Sequence, residues 1–298
     1  MATAEESWDH WLMPVTDTPL RYPGGKSQLA PFVSTILTLN NLQGGHYAEP
    51  FAGGAGIAWR LLFTGQASEI WLNDIDPAIF AFWQAVVHHT DELCERVQNV
   101  DVTIEQWHQQ RTVFRDAGAK TIDRGFATLF LNRTNRSGIL DGGVIGGKEQ
   151  NGNYKLDCRF NKVDLIRKIQ RIGRYRSVIH LSNEDARLCL VRWDKLLPTR
   201  ALLNIDPPYY DKGSELYINH FKPDDHASLG TQVRRLKHRW MMTYDDSKEI
   251  ELIYRASPTY RMSLLYSAQT KRQGSELLIT DPCLILPHHT AKNKLLAA

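Results

Sequence analysis

Between Tyr47 and Asp76 the spacing of apolar positions changes character several times. A short apolar run ends at Glu49, the glycine-rich turn "FAGGAG" follows from Phe51, "IAWRLLF" has helical spacing, and "SEIWLND" reads as a strand. That order predicts one β-α-β unit. Strand-like runs return at "SVIHLSN" (177–183) and "RALLNIDPPYY" (200–210), then at "HRWMMTYDD", "YRMSLLYSA" and "ELLITDP". The first two extend a parallel sheet, in which the loops at the strand ends carry function, and the last group is expected to finish it in antiparallel fashion.

The middle of the chain has a different pattern. Helical runs are expected around 78–98 and 103–117, followed by "LNRTNRSGILDGGVIGGKEQNGNYKLDCRFNK", a stretch too polar and too rich in glycine to form a core. Residues 84–176 are therefore read as an inserted region, with 1–83 and 177–298 forming one α/β domain. There is no internal repeat and no low-complexity tract.

Charge sharpens this division. The 298-residue chain has a net charge of only +3, yet residues 103–177 hold fifteen Lys and Arg against seven Asp and Glu. A surface of that sign suits a polyanion. Cys94, Cys158, Cys189 and Cys283 are scattered without a CxxC pair, which argues against a zinc knuckle or a disulfide framework and suits a reducing cytoplasm. The start, "MATAEESWDHWLMP", lacks the order of a signal peptide, and no apolar run approaches membrane-spanning length. His88-His89 and His288-His289 lack the spacing and partner acids of a zinc site, so no metal is expected. Trp8 and Trp11 are unassigned.

The glycine turn brings bare backbone and the positive end of a helix to one place. Asp74, about twenty positions after Gly54, stands where an acidic residue at the tip of a second strand accepts ribose hydroxyls. The dinucleotide form GxGxxG is missing. "YPGGKS" is not a phosphate loop either, because Leu20 occupies the position where that motif needs its first glycine.

Asp206-Pro207-Pro208-Tyr209 closes an apolar strand. The prolines hold carbonyl oxygens in a rigid loop beside a carboxylate and an aromatic ring. Such a loop is an acceptor cluster with a stacking plate, matched to a planar base bearing an exocyclic amine. Acceptors that draw the amine hydrogens out of the ring plane localise the nitrogen lone pair and aim it at a methyl donor.

Taken in order, "LRYPGGKSQL", "EPFAGGAG", "NDID" and "DPPY" resemble the motifs of the Dam-type, or D12 class, DNA adenine-N6 methyltransferases, as do "FLNRTNRSGI", "GGKEQNGNYKLDCRFNK" and "LYINHF". The resemblance implies a Rossmann-like methyltransferase sheet with an inserted, mainly helical recognition region, S-adenosylmethionine as donor, and an adenine flipped from double-stranded DNA as acceptor. It implies catalytic roles for Asp206, Pro207, Pro208 and Tyr209. It places Tyr22, Gly24, Gly25 and Lys26 at the cofactor's amino-acid end or the flipped base, and Glu49, Phe51, Gly53 and Gly54 along the cofactor. Asp74 would bind ribose, Ile75 would cover the cofactor's adenine, and Asp185 would meet that adenine's amino group, with Asn183 and Glu184 beside it as alternatives. Asn132, Arg133, Asn135, Arg136, Lys148, Arg159, Asn161 and Lys162 become the DNA-contacting set. Tyr154 and Phe160 are candidate wedges or local core, and Tyr217, Asn219, His220 and Phe221 are candidates to close over the flipped base. A cognate restriction endonuclease, or a solitary phage-like or regulatory role, would fit. The same loop would also serve cytosine N4 or RNA, and a catalytically silent DNA-binding scaffold is the alternative of another class.

Overall fold

The apolar runs pair side by side into one sheet in the computed structural model, which describes residues 16–21, 26–210, 221–267, 271–288 and 294–295. In chain order the main elements are α1 (Ala30–Leu39), β1 (Gly45–Glu49), α2 (Gly56–Phe63), β2 (Ala67–Asn73), α3 (Pro77–His88), α4 (Thr90–Asn99), α5 (Ile104–Arg115), α6 (Thr121–Thr134) and α7 (Lys162–Gly173). They continue with β3 (Ile179–Ser182), α8 (Ala186–Leu196), β4 (Ala201–Ile205), α9 (Pro223–Val233), β5 (Arg239–Asp245), α10 (Lys248–Ile253), β6 (Thr259–Ser267), β7 (Lys271–Thr280) and β8 (Lys294–Leu295).

The strand order is β3-β2-β1-β4-β5-β7-β6-β8. The first five strands run parallel, while β7 is antiparallel to β5 and to β6. This is a doubly wound, Rossmann-like sheet with an antiparallel end, as the sequence pattern leads one to expect. Alternation within strands sends Tyr47, Leu202 and Met241 to one apolar cluster with α1, α2 and α3. Their neighbours Ala48, Leu203 and Met242 join Cys189, Leu190 and Trp193 of α8 and Leu229 of α9 in a second cluster on the other face.

The run expected over 78–98 is two helices, broken at His89. Asp76 starts α3 by accepting the Ala78 N–H at 2.8 Å, with Pro77 at the first helical position. The polar-looking "FLNRT" is not surface loop: it ends α6, a helix whose Phe126, Leu129, Phe130 and Leu131 are buried. Gly125 lets α6 lie against α3, since a Cβ there would stand 2.7 Å from both the Ala81 carbonyl oxygen and the Ala85 Cβ. A boundary at 83/84 therefore falls inside α3, and the apolar cluster runs without a break from Trp59 and Phe82 to Phe130 and Leu165.

Candidate active site

In this strand order the chain reverses direction of winding between β1 and β4, which opens a crevice beyond the carboxyl ends of the central strands. Asn73, the last residue of β2, ties its rim together. Its amide nitrogen donates to the carbonyls of Pro50 (3.0 Å) and Glu184 (2.9 Å), and its oxygen accepts from the Ser182 hydroxyl (3.0 Å) and the Glu184 N–H (3.1 Å). Asn183 adds bonds to the carbonyls of Asp74 (2.6 Å) and Ile75 (3.1 Å).

The glycine turn after β1 is held from several sides. Asp74 accepts the Gly53 N–H and the Asp76 N–H, each at 2.9 Å, and Trp83 donates to the Gly53 carbonyl at 2.9 Å. Gly53 has φ +46°, and Ala55 adopts the left-handed region at φ +48° to cap α2. Gly56 is packed beneath Ser27, with a Cβ there 2.0 Å from the Ser27 hydroxyl oxygen. Burial pushes Asp74 up to about 7, against the opposing pull of the Asp76 N–H. Burial likewise pushes Glu49 up to about 8, a rise that the Tyr47 hydroxyl at 2.9 Å moderates and the charge of Asp206 increases. Among the described residues neither carboxyl has an ion-pair partner. A donor-rich ligand carrying an ammonium and vicinal hydroxyls fits this pair, and Ile75, 45% exposed, offers an apolar face beside them.

The acceptor loop leaves β4 at Ile205 and is anchored by Asp245 at the end of β5, which accepts the Tyr210 N–H at 2.8 Å. Lys26, buried in front of α1, forms an ion pair with Asp206 Oδ1 and hydrogen-bonds the Thr243 hydroxyl at 3.0 Å. Thr243 in turn donates to Asp206 Oδ1 at 2.9 Å. Among the described residues these bonds all end on Oδ1, which leaves Oδ2 as a free acceptor. Burial alone disfavours the Lys26 ammonium, but Asp206 and then Glu276, 3.1 Å away, override it and raise its pKa. The Lys26 nitrogen also lies 5.2 Å from the centre of the Tyr209 ring, whose hydroxyl donates to Glu276 at 2.5 Å. Glycine turn and acceptor loop lie side by side, since they leave the carboxyl ends of the paired parallel strands β1 and β4.

The model of the D12 class N6 adenine-specific DNA methyltransferase family matches residues 22–271. The chain belongs to this family. The type II methyltransferase M.MjaIII of Methanocaldococcus jannaschii is 24% identical over 241 residues, covering 74% of this chain and 80% of that protein. Two solved structures are more distant. PH1948 from Pyrococcus horikoshii has a TM-score of 0.40 at 10% identity, covering 93% of this chain and 90% of its own. TrmN from Thermus thermophilus has a TM-score of 0.37 at 11% identity, covering 85% of this chain and 48% of its own. Likenesses so slight carry no argument about substrate.

As a D12 methyltransferase the chain is a DNA-methylating enzyme, and its motifs meet where the topology opens. Tyr22, Gly24, Gly25, Tyr217, Asn219, His220, Trp8 and Trp11 lie outside the described residues. Phe221 packs edge-on against Phe51 (ring centres 5.7 Å apart) and against His226 (5.3 Å). Asp185, expected at the cofactor's adenine, stands at the start of α8. It caps α8 through the Arg187 N–H at 2.8 Å and holds the Arg187 guanidinium on both oxygens, while Glu184 pairs with Arg192. The sequence reading missed Asn73, Thr243, Glu276 and the bond from Lys26 to Asp206. The available signal was a polar residue inside an otherwise apolar strand, as in "WLND", "WMMTYD" and "ELLIT".

The methyltransferase's expected DNA-contacting set divides. Asn132 and Asn135 are buried and fully engaged, which corrects their reading as base contacts. Asn132 accepts the Arg21 N–H (2.8 Å) and donates to the carbonyls of Arg21 (2.7 Å) and Gly138 (2.9 Å). Asn135 accepts the Trp107 indole N–H (2.7 Å) and donates to the carbonyls of Ile139 (2.9 Å) and Leu140 (2.8 Å). Asn161 caps α7 through the Asp164 N–H, and Lys162 donates to the Gln98 carbonyl at 2.8 Å. Phe160 is core against Phe130, with ring centres 5.4 Å apart, whereas Tyr154 is 69% exposed. Arg136, Lys148 and Arg159 are exposed. Burial, and then the charge of Arg21, lowers Arg133 to about 10, and its Nε has no hydrogen-bond partner among the described residues. Arg159 depresses Arg21 in the same way, after burial, so these cations form a face short of anions. Among the described residues no helix is long and apolar enough to cross a membrane, and no group of three or more His, Cys, Asp or Glu could hold a metal ion.

Proposed function

We propose that this chain transfers the methyl group of S-adenosylmethionine to N6 of an adenine turned out of duplex DNA at a specific sequence. The observation that carries the reading is the division of labour on Asp206: Lys26 and Thr243 occupy Oδ1, and Oδ2 remains to accept an amino hydrogen beside Tyr209.

The donor supplies an electrophilic methyl on a cationic sulfur. Gly53 and Gly54 bring bare backbone against it, Phe51 and Ile75 give it apolar contact, Asp74 accepts from its ribose hydroxyls, and Glu49 ionises to receive its ammonium. On the acceptor side Asp206 Oδ2 and a carbonyl of the Pro207-Pro208 turn take the two amino hydrogens, and Tyr209 stacks on the base. These bonds concentrate the N6 lone pair out of the ring plane. The N–C bond forms as the S–C bond breaks, and the N6 proton then leaves from an already cationic nitrogen, so Asp206 needs no raised basicity. Orientation of this kind contributes on the order of 7–11 kcal/mol.

In this reading the part of the chain between α3 and β3 carries recognition, with Arg133, Arg136, Lys148 and Arg159 toward phosphates and base edges. The cytoplasm, where DNA and donor meet, is the proposed setting. Likeness to a type II methyltransferase favours work beside a cognate restriction endonuclease.

The test is incubation with methyl-labelled S-adenosylmethionine and unmethylated duplex DNA, followed by digestion to nucleosides. Label in N6-methyladenine is the expected result. Label in N4-methylcytosine, or in RNA alone, overturns the reading.

A further inference from the structure

Glu276 sits in β7 directly before Leu277, Leu278 and Ile279, all fully buried, and is itself 2% exposed. A carboxylate in such surroundings is costly unless its oxygens are engaged. Oε1 accepts the Tyr209 hydroxyl at 2.5 Å, and Oε2 is ion-paired with the Lys26 ammonium 3.1 Å away. Across the sheet Glu276 is in register with Asp245 of β5, the residue that accepts the Tyr210 N–H. Paired positions on neighbouring strands thus grip consecutive residues of the loop, one through the Tyr209 side chain and the other through the Tyr210 backbone. The opposite partner on β6 is Met262, which carries no charge.

Like charges facing each other across a sheet are unfavourable, and here Lys26 stands against the acidic group. With Lys26 shared between Asp206 and Glu276, Asp206 is only partly neutralised and keeps the acceptor strength of its second oxygen. A neutral residue at 276 would leave the whole ammonium to Asp206.

We propose that Glu276 is a positioning residue for methyl transfer, fixing the plane of the Tyr209 ring and apportioning the Lys26 charge, while touching neither donor nor base. The inference rests on the adenine-methylation reading above. It also makes transfer sensitive to the ionisation of Glu276, which faces Lys26, Asp206 and Tyr209. Burial raises its pKa despite the attraction of Lys26, so the rate climbs through a limb above the ordinary carboxylate range.

Single-turnover methylation at saturating donor and DNA tests this on the full chain. Glu276→Gln and Tyr209→Phe are each expected to slow transfer by about tenfold to a hundredfold. Donor affinity and melting temperature should stay near those of the unaltered protein, and the double variant should be no slower than the slower single one. The ascending pH limb should vanish in Glu276→Gln. An unchanged rate, a limb that persists, fully multiplicative losses, or a loss that merely follows the folded fraction would each overturn the inference. If the unaltered protein makes no N6-methyladenine, the reading of function falls and takes this role with it; if it does and Glu276→Gln matches it, only the role of Glu276 falls.

Discussion

Asp74 accepts the backbone N–H of Gly53 at 2.9 Å, which makes the tip of β2 and the turn after β1 a single unit. Replacing Asp74 by Ala removes a ribose acceptor and releases the turn at once. Donor affinity should fall by about 10- to 100-fold, in line with the 1.5–3 kcal/mol of a hydrogen bond to a charged group. Titration calorimetry checks this, and an unchanged dissociation constant would remove Asp74 from the pocket.

Near neutrality Glu49, at about 8, is mostly protonated in the free protein, and Asp74, at about 7, is about half protonated. Receipt of an ammonium by Glu49 must expel its proton. Donor binding at pH 7 should therefore release a proton, visible as a dependence of the binding heat on buffer ionisation enthalpy, and affinity should rise between pH 6 and about 8. The sign for folding is the reverse. The folded chain keeps protons that the unfolded chain gives up above about 4.5, so the stability of the free protein falls as pH climbs from there to about 8. Glu49→Gln should flatten both curves.

Lys26→Met leaves Asp206 and Glu276 without their shared cation. Breaking one partner out of a buried pair costs roughly 3–5 kcal/mol, and urea unfolding measures it. Transfer should drop below detection in the same variant. Asp206→Ala should also abolish transfer but leave donor binding intact, and normal turnover in that variant would exclude Asp206 from the chemistry.

Asn135 is buried, and Arg136 beside it is exposed. Asn135→Ala strands the Trp107 indole N–H and the carbonyls of Ile139 and Leu140, and should cost about 1–3 kcal/mol of stability while methylation sites stay the same. Arg136→Ala should leave the melting temperature unaltered, weaken DNA binding, and reduce the slope of log affinity against log salt by about 1. A steep stability loss for Arg136→Ala would return that residue to the scaffold.

The sheet was legible because its central strands are short apolar runs, β4 buried along its whole length, bounded by turns that carry glycine and proline. The carboxylates of Asp74 and Asp206 were legible because each stands at a strand tip beside such a turn. Asn132 and Asn135 misled because an asparagine among arginines has the composition of a reader of bases, whereas α6 continues under them and buries both. The helix-capping bonds of Asp185 and its pairing with Arg187 two positions on were not read from the sequence, because a carboxylate after a strand suits a ligand and the start of a helix alike. Glu276 went unseen because nothing in a local stretch announces that an acid in a strand is paired with a lysine 250 positions earlier.

That distance matters during synthesis. By the time residue 209 has been added, the growing chain contains "LRYPGGKSQL", "EPFAGGAG", "NDID" and "DPPY", yet β5 and β7 have not been made. The carboxylate that shares Lys26 with Asp206 arrives only with residue 276, and the strand between β5 and β6 that carries it is added after both of its neighbours. A reading frame broken after β6 would keep all four of these signatures and lack the group against which Tyr209 rests.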